Sequence, residues 1–160
     1  MKMKALTMVA PVALLLALFV TPALSHHSFA MYDQNKAVTL TGAAKQFVAQ
    51  ANHAEIHFVL IAPDRKGLAK GPDGKYVEWG VEMAGAAAVA QQGITAETFK
   101  VGTVFSVKMN PLRDGSNFGS RTGAIAKCPT DPATNKPKLP EPDKHCDSVP
   151  GSTLLGGNTF

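Results

Sequence analysis

The side chains with most chemistry to offer are histidines. His26 and His27 stand together in the stretch SHHSFAMYD, residues 25 to 33, and His53 and His57 flank Glu55 in HAEIH, residues 53 to 57. A residue that carries both an imidazole and a free α-amine chelates a metal, because its two nitrogens close one ring without ordering the rest of the chain. Cu(II) is the divalent ion such nitrogens favour most, by affinity order and by its tetragonal preference. The metal site expected is therefore a copper site on His26, with His27 or His53 adding a further nitrogen. In an extended chain His53, Glu55 and His57 share one side, which makes them a second cluster. The plain alternative is an exposed His26-His27 end, with His53 only satisfying backbone groups at a strand start.

His26 can chelate only if it leads the mature chain. Lys2 and Lys4 precede an apolar run from Ala5 to Val20, closed by Thr21-Pro22-Ala23-Leu24-Ser25. That is the three-part pattern of an export signal. A spanning helix needs about 20 apolar residues, and the run falls short. Ala23 and Ser25 supply the small residues for a cut after Ser25, and a cut after Ala23 is the competitor. Residues 1–25 are thus expected to be a removed signal peptide, the protein periplasmic or secreted, and the remainder without a membrane span. Losing Lys2 and Lys4 lowers the formal charge from +4 to +2, which implies no strong polyanion partner.

The chain has two cysteines, Cys128 and Cys146. An oxidising compartment normally closes such a pair. Pro129, Pro132, Pro137, Pro140 and Pro142 lie between them and exclude a helix or a central strand. A disulfide-stapled tail is expected, with a loop closure worth roughly 3 kcal/mol. A thiol metal site using His145 is the rival, and it lacks CxxC spacing. His145 is expected to be solvated.

The elements that must position these groups read as strands. AVTLTGAAKQFVAQ, from Ala37, alternates and holds Gly42 where a bent strand can fold over. Residues 53 to 63 make a second strand, with Ile56 and Phe58 facing away from the histidines. Residues 64 to 75, rich in Gly and with Pro72-Asp73-Gly74, make a loop. A third strand runs over residues 75 to 83. AGAAAVAQQ, residues 84 to 92, suits a short helix stopped by Gly93. Val104 to Asn110 and Arg121 to Lys127 are the fourth and fifth strands. This order predicts a mainly β fold, a five-stranded, partly open OB-like barrel with a short helix between strands three and four. The barrel domain spans residues 26–127 and the proline-rich tail residues 128–160.

Placed on these elements, the chain resembles a family of small exported bacterial proteins of unknown function, whose mature chains open with His-His-Ser-Phe. The matching residues are His26, His27, Ser28, Phe29 and Asp33, followed by Val38, Thr39, Leu40 and Gly42. Trp79 and Glu82 match the family's Trp-x-x-Glu strand, and Pro111 to Gly115 its Pro-x-x-Asp-Gly turn. Ala51-Asn52-His53 stands where the family has Asn-Pro-His, so the proline is lost. The likeness covers residues 26 to about 127 and implies the barrel and export, without an activity.

Other constellations are weaker. Glu78 and Glu82, four apart in a strand, stand about 13 Å apart by strand rise, too far for paired-carboxylate catalysis. Ser28 has no legible oxyanion partner, and no phosphate-cradling glycine loop is present. Arg65, Lys66, Lys70 and Lys75 crowd one loop with only Tyr76 nearby, which suits solvation better than a nucleic-acid groove. The expected function is an exported, non-enzymatic module that binds a small ligand or a metal ion, copper foremost. The alternatives are a copper-dependent oxidase or oxygenase using His26, and an oligonucleotide- or oligosaccharide-binding OB barrel.

Overall fold

A computed structural model describes residues 29–157. The expected signal segment and cleavage point, His26 and His27 lie outside the described residues. A short 3₁₀ turn, Phe29–Met31, leads into five long strands: β1 (Val38–Ala49), β2 (His53–Leu60), β3 (Glu78–Ala84), β4 (Val104–Pro111) and β5 (Phe118–Lys127). A helix, α1 (Ala86–Gln91), lies between β3 and β4.

The strand order around the sheet is β3-β2-β1-β4-β5, and β3 also pairs with β5, so the sheet closes into a barrel. The closing pair is parallel, while the others among these five strands are antiparallel. It is also short, joining Gly80, Val81 and Glu82 to Phe118, Gly119 and Ser120. This is the OB-type barrel expected from the strand order, with its seam at β3–β5.

β1 makes closure possible by serving two neighbours. Val38 to Ala43 pair with β4, and Gly42 to Ala49 pair with β2. The strand bends where these ranges overlap, at Gly42, and carries a bulge between Ala44 and Gln46. A Cβ at Gly42 would stand 2.7 Å from the Val59 carbonyl oxygen, so only glycine fits the fold-over.

Alternation decides what fills the barrel. Ala54, Ile56 and Phe58 on β2, and Val81 and Met83 on β3, point inward and are buried. Phe105 packs edge-to-face with both Phe58 and Phe99, each with ring centroids 5.2 Å away. α1 contributes the fully buried Val89 to the same core. The opposite faces of β2 and β3 therefore look outward, and they carry the polar residues.

Four features depart from the sequence reading, the first being that the fifth strand begins at Phe118 and not at Arg121, so the seam residues Phe118 to Ser120 fall outside its expected span. The tail adds a strand, β6 (Thr153–Leu155), antiparallel to β5; its three residues are too short to show a period. The third strand begins at Glu78, later than expected, because Tyr76 instead bridges Lys70 across the loop. His145 is not simply solvated. It is partly buried against the barrel, its Nδ1 3.0 Å from Thr41 Oγ1. Cys128 and Cys146 are joined as a disulfide, and both pack with Ile61, Val104 and Ala126 in a small second core. Among the described residues no helix is long and apolar enough to cross a membrane.

Candidate metal centre

The outer face of β2 presents His53, Glu55 and His57 at every second position, because their intervening neighbours fill the core. Antiparallel register then sets Glu82 of β3 directly opposite Glu55. In the sequence Glu82 stands out through Glu78, four positions before it, and through Trp79 in the Trp-x-x-Glu match. Its partner comes from across the ladder, and the spacing along one strand carries no signal of that.

One donor atom each from His53, Glu55 and Glu82 lie within 4.8 Å of one another. The Glu55 carboxylate is divided between two imidazoles: Oε2 is 2.8 Å from His57 Nε2, and Oε1 is 3.5 Å from His53 Nε2. Glu55 and His53 keep 19% and 21% of their side-chain surface exposed, so the group is partly desolvated yet open to an entering ion. Donors at about 2.1 Å from a zinc-like ion stand roughly 3.4 Å apart in a tetrahedron. The trio's donors, within 4.8 Å of one another, stand up to about 1.4 Å farther apart than a bound ion would hold them.

Two aromatic residues frame the cluster. Gly80 lies opposite His57 on one side and Phe118 on the other. A Cβ there would stand 3.4 Å from His57 Nδ1 and strike the Phe118 ring, so glycine makes room for both. The second aromatic is Tyr32, which sequence reasoning did not select. The segment ahead of β1 is zipped onto the β4–β5 turn, through Asp33 N–H to the Pro111 carbonyl at 2.8 Å and Arg113 N–H to the Met31 carbonyl at 3.0 Å. This places the buried Tyr32 so that its hydroxyl donates to Glu82. Burial pushes the Tyr32 phenol up to about 12, with the Glu82 charge, the hydrogen bond to Glu82 and the Glu55 charge adding to the rise. It remains a neutral donor at any physiological pH.

Of the residues singled out from sequence, the structure brings His53 and His57 together around Glu55. It leaves Cys128 and Cys146 in the tail disulfide, away from any thiol metal chemistry. Three of the four basic residues of the loop have local partners. Arg65 reaches the Lys144 carbonyl at 2.8 Å, Lys75 is 3.4 Å from Asp73, and Lys70 sits 5.3 Å from the Tyr76 ring centroid. A cavity of about 380 Å³ lies elsewhere, between the start of β4 and the tail, lined by Thr98, Lys100, Lys127, Thr130 and Asn135 among others.

The fold and this site define a small OB-type β-barrel with a histidine–carboxylate cluster on its outer β2–β3 face. The chain belongs to DUF6152, a family of unknown function, whose model matches residues 14–121. The matched span contains Tyr32, His53, Glu55, His57 and Glu82 and ends before the disulfide. No curated protein matches the chain, and no solved structure does.

Proposed function

We propose that this protein is an exported, non-enzymatic binding module that captures a divalent metal ion on the outer face of β2 and β3. The observation that carries the reading is the convergence of His53, Glu55 and Glu82 within 4.8 Å. Two carboxylates set directly opposite each other in a ladder repel, and a bound cation converts that repulsion into attraction. One imidazole with two carboxylates suits a borderline divalent ion such as Zn(II), Mn(II) or Cu(II). His57 fits the part of an outer partner that holds Glu55 in place.

Copper is favoured if the amino terminus joins the site. His26 is six residues ahead of Tyr32; with Phe29–Met31 held in a 3₁₀ turn, that length reaches at most about 16 Å. An amine–imidazole chelate on His26, with His27 beside it, is then within range of the cluster. Export rests on the leader pattern of residues 1–25, and the Cys128–Cys146 bond is in keeping with an oxidising compartment.

The test is calorimetric titration of the mature protein with Cu(II), Zn(II) and Mn(II), repeated on Glu82→Gln and on a form with one residue added ahead of His26. One ion per chain is expected, with weaker binding of every ion in Glu82→Gln and weaker binding of Cu(II) alone in the extended form. No binding heat in the parent protein, or affinities untouched by Glu82→Gln, would sink the reading.

A further inference from the structure

A second polar constellation lies away from the metal cluster, under the tail. Thr41 of β1 and Ser106 of β4 are directly paired across the ladder, and both are buried. Their hydroxyl oxygens are 2.7 Å apart. The Cys146 N–H reaches Ser106 Oγ at 2.8 Å, and Thr41 Oγ1 is 3.0 Å from His145 Nδ1. Four groups from three segments thus form one line: Cys146 amide, Ser106, Thr41, His145.

The direction of this line follows from counting protons. The Cys146 amide can only donate, so Ser106 accepts from it. Each hydroxyl has a single proton to give. If Ser106 donates to Thr41, and Thr41 donates to His145 Nδ1, every proton in the line has an acceptor. That arrangement requires Nδ1 to be bare, and so a neutral imidazole with its hydrogen on Nε2. A protonated imidazole turns Nδ1 into a donor and reverses the line. Thr41 must then donate to Ser106, which would accept twice, and the Ser106 proton loses its place in the chain at a fully buried position.

We propose that this line is a pH-sensitive latch, which holds the disulfide-bonded tail on the barrel while His145 is neutral and releases it when His145 is protonated. Among the described residues two charged groups act on the imidazole. Arg65, from the β2–β3 loop, opposes protonation; Asp147, from the tail itself, favours it. Thr41 and Ser106, the contacts from β1 and β4, do not titrate. Burial and Arg65 outweigh Asp147, and the docked imidazole is held below the usual histidine range. The sign follows. A base depressed in the docked state stabilises docking fully above the released value, near 6.5. The contribution is lost as pH falls below that, until the docked imidazole itself protonates. Arg65 adds a pH-independent hold through its bonds to the Glu141 and Lys144 carbonyls, so the tail loosens without the disulfide breaking.

The experiment is histidine ¹⁵N–¹H correlation spectroscopy together with exchange protection of the Cys146 amide, on the full mature protein with its disulfide intact. His145 is expected as the Nε2–H tautomer near neutral pH. Cys146 protection should fall by up to about tenfold per pH unit between the released and docked pKa values. In His145→Asn, whose side-chain oxygen accepts from Thr41 without titrating, that extra pH dependence should vanish. Thr41→Val should lower protection at every pH. An Nδ1–H tautomer at neutral pH, or the same protection profile in the parent protein and His145→Asn, overturns the latch.

Discussion

Glu55 and Glu82 face each other across the β2–β3 ladder, with the Tyr32 hydroxyl donating to Glu82 and His57 Nε2 2.8 Å from Glu55 Oε2. Like charges in such a pair oppose folding. The barrel tolerates them because imidazoles and a phenol surround them, and a cation would use them. Stability and binding therefore pull in opposite directions at this one pair.

Glu82→Gln separates the two. Without added metal the variant should unfold at a slightly higher temperature, by the equivalent of about 0.5 kcal/mol, because one of two facing charges is gone. The upward shift that metal produces in the parent protein should shrink or disappear. Thermal unfolding with and without a chelator measures both. A variant less stable than the parent in the absence of metal would show that the pair is held by its internal hydrogen bonds and not strained by repulsion.

Tyr32 should ionise far into the alkaline range. Its phenol is raised from 10.0 to about 12, so the protonated form is favoured by folding. The stability this contributes is whole below about pH 10 and is lost as pH rises through about 12. Near-ultraviolet absorbance should show one phenolate appearing near the upper value in the parent protein and missing in Tyr32→Phe. The same variant should lose about 1.5–3 kcal/mol at neutral pH, the worth of a hydrogen bond to a charged group.

Gly42→Ala tests the bend that lets β1 pair on both sides. The new methyl would meet the Val59 carbonyl oxygen at 2.7 Å, a backbone atom that cannot swing aside. Denaturant unfolding should show a loss of about 1–3 kcal/mol, as for overpacking elsewhere. A neutral result would mean that β1 relaxes at the Ala44–Gln46 bulge.

Replacing Cys128 and Cys146 together by serine should cost roughly 3 kcal/mol, the chain-entropy value for a loop of this size; the two are 18 residues apart. The loss should appear in tail amides first and in β2 and β3 amides last, by hydrogen exchange. Equal loss throughout would make the tail an integral part of the barrel core.

Much of the barrel is legible because two-residue alternation reports directly on burial. Ile56 and Phe58 against His53, Glu55 and His57 fix both the strand and its outer face, and Gly42 marks the bend. The three-residue β6 carries too little pattern to be seen. The His145 contact is invisible for another reason: a proline-rich tail has no period, so nothing local says which barrel face it covers. Tyr32 is missed for a related reason, since its role depends on a segment zipped to a turn some 80 positions later, as Arg113 Nε to the Tyr32 carbonyl at 3.2 Å shows.

The sequence by itself determined the five barrel strands to within a few residues at their ends, their inward faces, the helix between β3 and β4 and the pairing of its two cysteines. Each of these is set by neighbours along the chain, or by there being one possible partner. The tertiary structure alone decided that Glu82 stands opposite Glu55, that Tyr32 closes over them and that His145 reaches Thr41. These are contacts between residues far apart in sequence, and they depend on ladder register and tail path, which follow from packing the whole barrel at once.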